Sequence, residues 1–251
     1  MPEIKTNNLT HTFGKGGADA LTVLEDIDLT FESGSFNSII GTSGCGKSTL
    51  LKMMAGLFDP SDGAMTLDGD VIQGTDRRRG MVFQQDAVFP WMTVAKNISY
   101  GPRLRGATKA EQAEIEEKWT NMVGLKGFED RWPRELSGGM RKRVDIGRVY
   151  ANDPDILLMD EPFGALDAQT KERMQSDLLE TWNKTKKTVV FVTHDIEEAI
   201  FLSDKIVVLS SRPGRVHHIE TVNLPRPRND EMRLTDEFLE IKRRLWAMLD
   251  H

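Results

Sequence analysis

Apolar positions recur along this chain with two different periods. Through 3–13 and 21–31 they follow a broken alternation: Ile4, Leu9 and Phe13, then Leu21, Val23, Leu24, Ile27, Leu29 and Phe31. Side chains alternate faces along a strand, so this pattern predicts strands of an antiparallel region, joined by a turn through Gly14-Lys15-Gly16-Gly17-Ala18. Three short stretches, 35–40, 155–161 and 188–193, predict buried strands, the second an apolar run ending in two acids that fits the centre of a parallel sheet. Further strands are predicted at 80–83 and 205–210, with hairpins at 64–72 and around Arg212-Pro213-Gly214-Arg215. Helical spacing covers 50–55, 93–105, 108–123, 137–151, 167–182 and 196–203. Thr108 and Glu111 form a capping box. Arg77-Arg78-Arg79 reads as a solvated lead-in to the strand at 80–83, and Leu224-Pro225-Arg226-Pro227-Arg228 as a linker. A last helix sets Leu234, Phe238, Ile241, Leu245 and Met248 on one face, expected to pack on the chain's own body.

Composition narrows the setting. The 251 residues carry 33 Lys and Arg against 39 Asp and Glu, a net charge of -6 that argues against a polyanion as main partner. Cys45 is the single cysteine, so no intrachain disulfide forms and nothing points to an oxidising compartment. The first residues lack a signal peptide's apolar centre, and no apolar run approaches the ~20 residues that span a bilayer. A soluble chain is expected, reaching a membrane only by docking on something else.

The chemistry concentrates at Gly41-Thr42-Ser43-Gly44-Cys45-Gly46-Lys47-Ser48-Thr49, which fits G-x-x-x-x-G-K-[ST] between a predicted strand and a predicted helix. In that context glycines turn backbone N–H groups inward around phosphate oxygens, and the helix N-terminus adds partial positive charge. Lys47 can reach the β- and γ-phosphates, and the Ser48 hydroxyl can ligate Mg²⁺. The strand at 155–161 ends in two acids: Asp160 is suited to hold Mg²⁺ through its water shell, Glu161 to polarise an attacking water. His194 follows the strand at 188–193, where α/β sheets bind ligands, and can meet a γ-phosphate or that water. Asp167 is placed to cap a helix. Leu136-Ser137-Gly138-Gly139-Met140 opens another helix and is, by itself, either a plain N-cap or a second anion site. Phe13 is either core or a platform for a flat base. The apolar loop 87–94, with Phe89, Trp91 and Met92, is either local core or a docking surface. Cys45, close to a helix N-terminus, is expected to alkylate, blocking nucleotide binding, with bound nucleotide protecting.

Taken together, the loop at 41–49, Ser137-Gly138-Gly139, Asp160-Glu161, Asp167 and His194 stand in the order and spacing of ABC transporter ATP-binding subunits, and the resemblance covers nearly the whole chain. Val82-Phe83-Gln84, the segment from Phe89 to Val94, Glu161–Asp167 and the tail at 224–228 look like the nitrate/sulfonate/taurine-type importer ATPases. The resemblance implies a single ABC ATPase domain over 1–251. Its fold class would be α/β, a RecA-like phosphate-loop core with an N-terminal antiparallel β part, an inserted α-helical subdomain at about 88–152 and a short tail at about 224–251. It implies ATP and Mg²⁺ as cofactors, Mg²⁺ being held by Ser48, Gln84 and Asp160. Phe13 would stack on adenine, residues 41–49 would hold the phosphates, and Lys47, Gln84, Glu161 and His194 would be the catalytic set. Ser137 and Gly139 would reach the γ-phosphate of ATP held by a second copy, with Gly138 and Asp167 also in the nucleotide-binding set and Asp167 crossing the dimer interface. The implied partners are that copy, membrane permease subunits docking near Gln84–Val94 and an extracytoplasmic solute-binding protein, with no nucleic acid, at the cytoplasmic face of the membrane. The solute would be a small anion or organic acid. Lys142 and Asp145 depart from the family's common Gln and Ala. Two rivals are a soluble ABC-type ATPase acting on nucleic acid or ribosomes, and a module that holds ATP without hydrolysing it.

Overall fold

A computed structural model describes residues 2–14, 20–85 and 87–249; most of the turn predicted at 14–18 lies outside them. Strands β1 (Ile4–Phe13), β2 (Leu21–Phe31), β4 (Asp62–Leu67) and β5 (Asp70–Val71) form an antiparallel sheet in the order β2-β1-β4-β5. Ile4 pairs with Phe31 on one side and Leu67 on the other, which sets the alternating apolar positions on one buried face. The second sheet has the order β10-β9-β3-β8-β7-β6, from β3 (Phe36–Gly41), β6 (Arg79–Val82), β7 (Ile156–Asp160), β8 (Thr188–Val192), β9 (Lys205–Leu209) and β10 (Val216–Thr221). Its pairings are parallel except at one edge, where β10 runs antiparallel to β9.

The apolar strands are loaded on both faces, as their composition requires. On β7, Leu157 and Met159 join one core with Phe36 and Phe191, while Ile156 and Leu158 join a second with Ile39, Val190 and Val207. Helix α1 (Lys47–Met54) contributes Leu50, Leu51, Met53 and Met54 to that second core, where the antiparallel sheet's Ile4, Leu9 and Phe31 also sit. Each such side chain contributes roughly 1.5–3 kcal/mol of burial, so the phosphate loop is anchored by the strand before it and the helix after it.

The inserted helices are α2 (Val94–Ile98), α3 (Tyr100–Leu104), α4 (Lys109–Met122) and α5 (Gly138–Ala151). The single helix predicted over 93–105 is thus two, broken at Ser99. Pro102 has no N–H to give the Ile98 carbonyl, so the ladder restarts there. The capping box forms: Thr108 N–H donates to Glu111 at 2.7 Å and Glu111 N–H to the Thr108 hydroxyl at 3.3 Å.

Helix α6 (Ala168–Thr185) runs three residues past its predicted end, and α7 (Ile196–Leu202) and α8 (Asp236–Leu249) complete the set. Three expectations are corrected. Arg79 begins β6 rather than standing in solvent: it is buried, and its guanidinium donates to the Gly74 carbonyl at 2.6 Å. Leu234 leaves the apolar face of the last helix; it ends a 3-10 turn and is 81% exposed, while Phe238, Ile241 and Leu245 bury against the body. The linker is pinned rather than free. Arg228 is buried and donates to the carbonyls of Ile200, Phe201 and Ser203 at 2.9, 3.0 and 2.8 Å, closing the C-terminal end of α7. Burial lowers its pKa to about 10.

Candidate active site at the strand ends

Four adjacent strands, β3, β8, β7 and β6, deliver the phosphate loop, His194, Asp160-Glu161 and Gln84 at the same edge of the sheet. Parallel strands present their carboxyl ends together, so residues far apart in sequence converge there. The loop takes a shape that only glycine permits at one key point. Gly46 has φ 103°, and a Cβ on it would lie 2.6 Å from Leu24 Cδ2. Lys47 Nζ donates back to the carbonyls of Gly41 at 2.8 Å and Thr42 at 3.0 Å. Cys45 is buried beneath the loop, its sulfur 3.9 Å from Lys47 Nζ, so a thiol reagent would reach it only if the loop opened.

Ser48 Oγ donates to Asp160 Oδ1 at 2.9 Å. Asp160 is 1% exposed; burial pushes its carboxyl pKa up, against the opposing hydrogen bond from Ser48 and the field of Lys52. A hydroxyl hydrogen-bonded to a buried carboxyl oxygen brings two hard oxygen ligands together, which suits a hard cation. Among the described residues no three His, Cys, Asp or Glu side chains gather to hold a metal, so a cation here would complete its shell with water and phosphate oxygens.

Glu161 sits one residue past β7 with φ 44°, a left-handed conformation that costs about 1–3 kcal/mol for a non-glycine residue, and its N–H donates to the Val192 carbonyl at 2.9 Å. Its Oε2 accepts from Gln84 Nε2 at 3.4 Å and lies 3.2 Å from His194 Nδ1. Gln84 and His194 thus flank one carboxylate oxygen from the strands on either side.

Lys47, Ser48, Gln84 and Glu161 border a cleft of about 380 Å³ whose walls also include Phe13, Val23 and Arg212, while Asp160 and His194 stand outside its lining. Phe13 is not core. It is 45% exposed on the cleft wall, backed by His11 at 4.6 Å and Phe58 at 6.1 Å between ring centroids. Ser137 caps α5, accepting from Met140 N–H at 3.2 Å, and Asp167 caps α6, accepting from Thr170 N–H at 3.0 Å, a bond that lowers its pKa. Gly139 lies against Leu166, so the two caps are neighbours. Ser137, Gly138, Gly139 and Asp167 are absent from the walls of their own chain's cleft.

Sequence reading missed Arg212. Its guanidinium donates to the Gly44 carbonyl at 3.3 and 3.2 Å from the hairpin after β9, and Gly214 N–H, two residues on, bonds the Val23 carbonyl at 2.8 Å. The only sequence signal was the turn at Pro213-Gly214. The loop 87–94 is tied into the local core at one end and leaves an aromatic side chain exposed at its tip. Asn97, fully buried, binds Phe89 through its N–H at 2.7 Å and its carbonyl at 3.1 Å, whereas Trp91 is 66% exposed.

A RecA-like parallel sheet with a phosphate loop, two acids on a neighbouring strand, an antiparallel β part and a helical insert defines a phosphate-loop ATPase. Residues 24–164 match the family model described as ABC transporter. An uncharacterized ABC transporter ATP-binding protein of Methanocaldococcus jannaschii is 48% identical over 247 residues, 98% of this chain and 91% of that one. A nitrate import ATP-binding protein of Synechocystis sp. is 44% identical over 241 residues, covering 96% and 89%. A taurine import ATP-binding protein of Roseobacter denitrificans is 44% identical over 217 residues, covering 86% and 81%. Among solved structures, a dimeric ATP-binding cassette in a post-hydrolysis state bound to ADP and Pi matches with TM-score 0.79 and 32% identity, over 88% of this chain and 100% of that one. The chain belongs to the ABC transporter family, as an ATP-binding subunit with ATPase activity.

Proposed function

We propose that this ATPase drives import of a small anion or organic acid of the nitrate, sulfonate or taurine kind. It would act through separate permease subunits, at the cytoplasmic face of a membrane, with an extracytoplasmic binding protein delivering the solute. The names of the taurine and nitrate import relatives support the direction and the solute class. In this reading the chain is one ABC ATPase domain, with residues 88–152 as its helical part and 224–251 as its tail. Two copies sandwich two ATP molecules, as two-fold closure with self-complementary surfaces allows. The dimeric state of the matched cassette structures supports this.

Residues 41–49 hold the phosphates and Phe13 faces adenine. Ser137, Gly138 and Gly139 act on the partner copy's ATP, supplying donors to the far side of the transferred phosphoryl group, and Asp167 crosses the dimer interface. Ser48, Asp160 and Gln84 would hold Mg²⁺, which when bound neutralises charge on the phosphate oxygens. Glu161 takes a proton from water as that water's oxygen bonds to the γ-phosphorus. The bond from that phosphorus to the bridging oxygen breaks, and ADP leaves. Lys47 and His194 stabilise the γ-phosphate, and Gln84 orients the water. The permease docks near Gln84–Val94.

The observation that carries the reading is the single Glu161 oxygen flanked by Gln84 and His194 on the wall of a cleft that also contains Lys47. The test is Glu161→Gln against wild type, by light scattering on a sizing column with and without Mg-ATP, together with phosphate release. The variant is expected to dimerise on ATP and to release phosphate at least about a hundredfold more slowly. Wild-type turnover in the variant would remove Glu161 as base, and salt-sensitive binding of the chain to nucleic acid would favour the soluble rival.

A further inference from the structure

Three charged side chains on α5 have no part in the roles above. Lys142, Asp145 and Arg148 recur every three residues and face the segment leaving β6. Lys142 is 2% exposed, and its ammonium donates to the carbonyls of Phe83 and, at 3.1 Å, Gln84. Arg148 donates to the Ala87 carbonyl at 2.6 Å and to Asp145 at 2.7 Å, and lies 4.7 Å over the Phe89 ring. Asp145 is fully buried; burial pushes its carboxyl pKa up, and the fields of Arg148 and Lys142 oppose that. A buried ammonium and a buried carboxylate persist only where both are hydrogen-bonded or paired. Asp145 is paired with Arg148 and feels Lys142 only through its field, and the two cations hold the backbone on either side of Gln84, Lys142 at Phe83 and Gln84 and Arg148 at Ala87.

We propose that Lys142 is a positioning residue that ties Gln84 to the signature helix. Gly139 and Lys142 are three residues apart, about 4.5 Å along one helix, so they move as a unit. Gln84 is held at its carbonyl by Lys142 and touches Glu161 through its side chain. Any shift of α5 as Ser137–Gly139 engage the partner copy's ATP is thereby passed to the Glu161 carboxylate of the same chain's own site. This rests on the sandwich reading. In that arrangement the tie joins the two ATP sites, so that closure at one prepares the water at the other.

The test is Lys142→Met, which fills the same space without donors, beside Lys142→Gln, which keeps an N–H. Misplacing a catalytic group by an ångström can cost about a hundredfold in rate. Lys142→Met is therefore expected to lose at least about tenfold in kcat, with KM for ATP within about twofold of wild type, and Lys142→Gln to recover most of the loss. Glu161→Gln/Lys142→Met is expected to dimerise on Mg-ATP as Glu161→Gln alone does, so that closure survives and firing does not. A kcat for Lys142→Met within twofold of wild type overturns the proposal, as does loss of ATP-driven dimerisation in the double variant. If Glu161→Gln itself stays monomeric, the sandwich reading fails, and the kcat comparison still decides whether Lys142 positions Gln84. If Lys142→Met does not fold, Lys142→Gln carries the same kcat and KM comparison against wild type, with a smaller loss expected and an unchanged kcat overturning the proposal.

Discussion

Arg212 and Glu161 show how differently single residues can be read. Glu161 was legible because two acids closing a buried strand, beside a phosphate loop, make no sense as a solvated face. Its left-handed backbone was not, since nothing in Asp160-Glu161-Pro162 distinguishes a strained turn from a relaxed one. Arg212 was invisible because its partner, the Gly44 carbonyl, lies 168 residues away. Fixing that carbonyl steadies the turn that we propose cradles the phosphates. Arg212→Ala is expected to weaken ATP binding by about 1 kcal/mol, raising KM about fivefold with kcat little changed. Steady-state kinetics over a range of ATP concentrations decides it, and an unchanged KM would reduce Arg212 to a surface contact.

Elements were read well where packing follows composition and poorly where one residue interrupts a pattern. The strands buried on both faces were plain from their continuous apolar runs. The split at Ser99 and the late start of the last helix's apolar face hung on Pro102 and on the turn at 230–234, which periodicity averages over. Caps were the most legible local feature, and α7 offers a measurable one. Asp195 accepts from the N–H groups of Glu197 and Glu198 at 2.9 and 3.2 Å and receives Lys171 Nζ at 2.7 Å. Burial pushes its pKa up, but the Lys171 bond and the capping amides outweigh burial and hold it below the usual carboxylate range. A depressed folded pKa stabilises the native state above the unfolded pKa, and that stabilisation is lost as pH falls through the folded value. Asp195→Ala is therefore expected to lower unfolding free energy by about 1–2 kcal/mol at pH 7. Its deficit against wild type should shrink as the solution is taken below about pH 4. Urea unfolding at the two pH values measures both.

For the molecule as a whole, sheet order was the part that residues alone did not supply. β3 lies between β8 and β9, pairings that span about 150 residues and leave no local signal. The resemblance to a known family provided the architecture, and the two-faced burial of β7 explains why the chain adopts it. The proposed permease surface belongs to this scale as well. Trp91 stands exposed, stacked on Phe89 at 5.5 Å, in a loop held by Asn97. An exposed aromatic on a fixed loop is the kind of side chain that dominates an interface. Trp91→Ala is expected to weaken association with the permease by about 2 kcal/mol, roughly thirtyfold, measured by binding of the purified chain to permease in nanodiscs.

The groups we propose for the ATP chemistry stand mainly on strand ends of a sheet buried on both faces, while the proposed docking loop is held against the inserted helices by α2 and α5. On our proposal the two meet at Gln84, which touches Glu161 and whose carbonyl is held by Lys142 of α5. Exposed side chains such as Trp91 are then free to change with the membrane channel, whereas the buried Lys142 contact couples the insert to the hydrolytic centre.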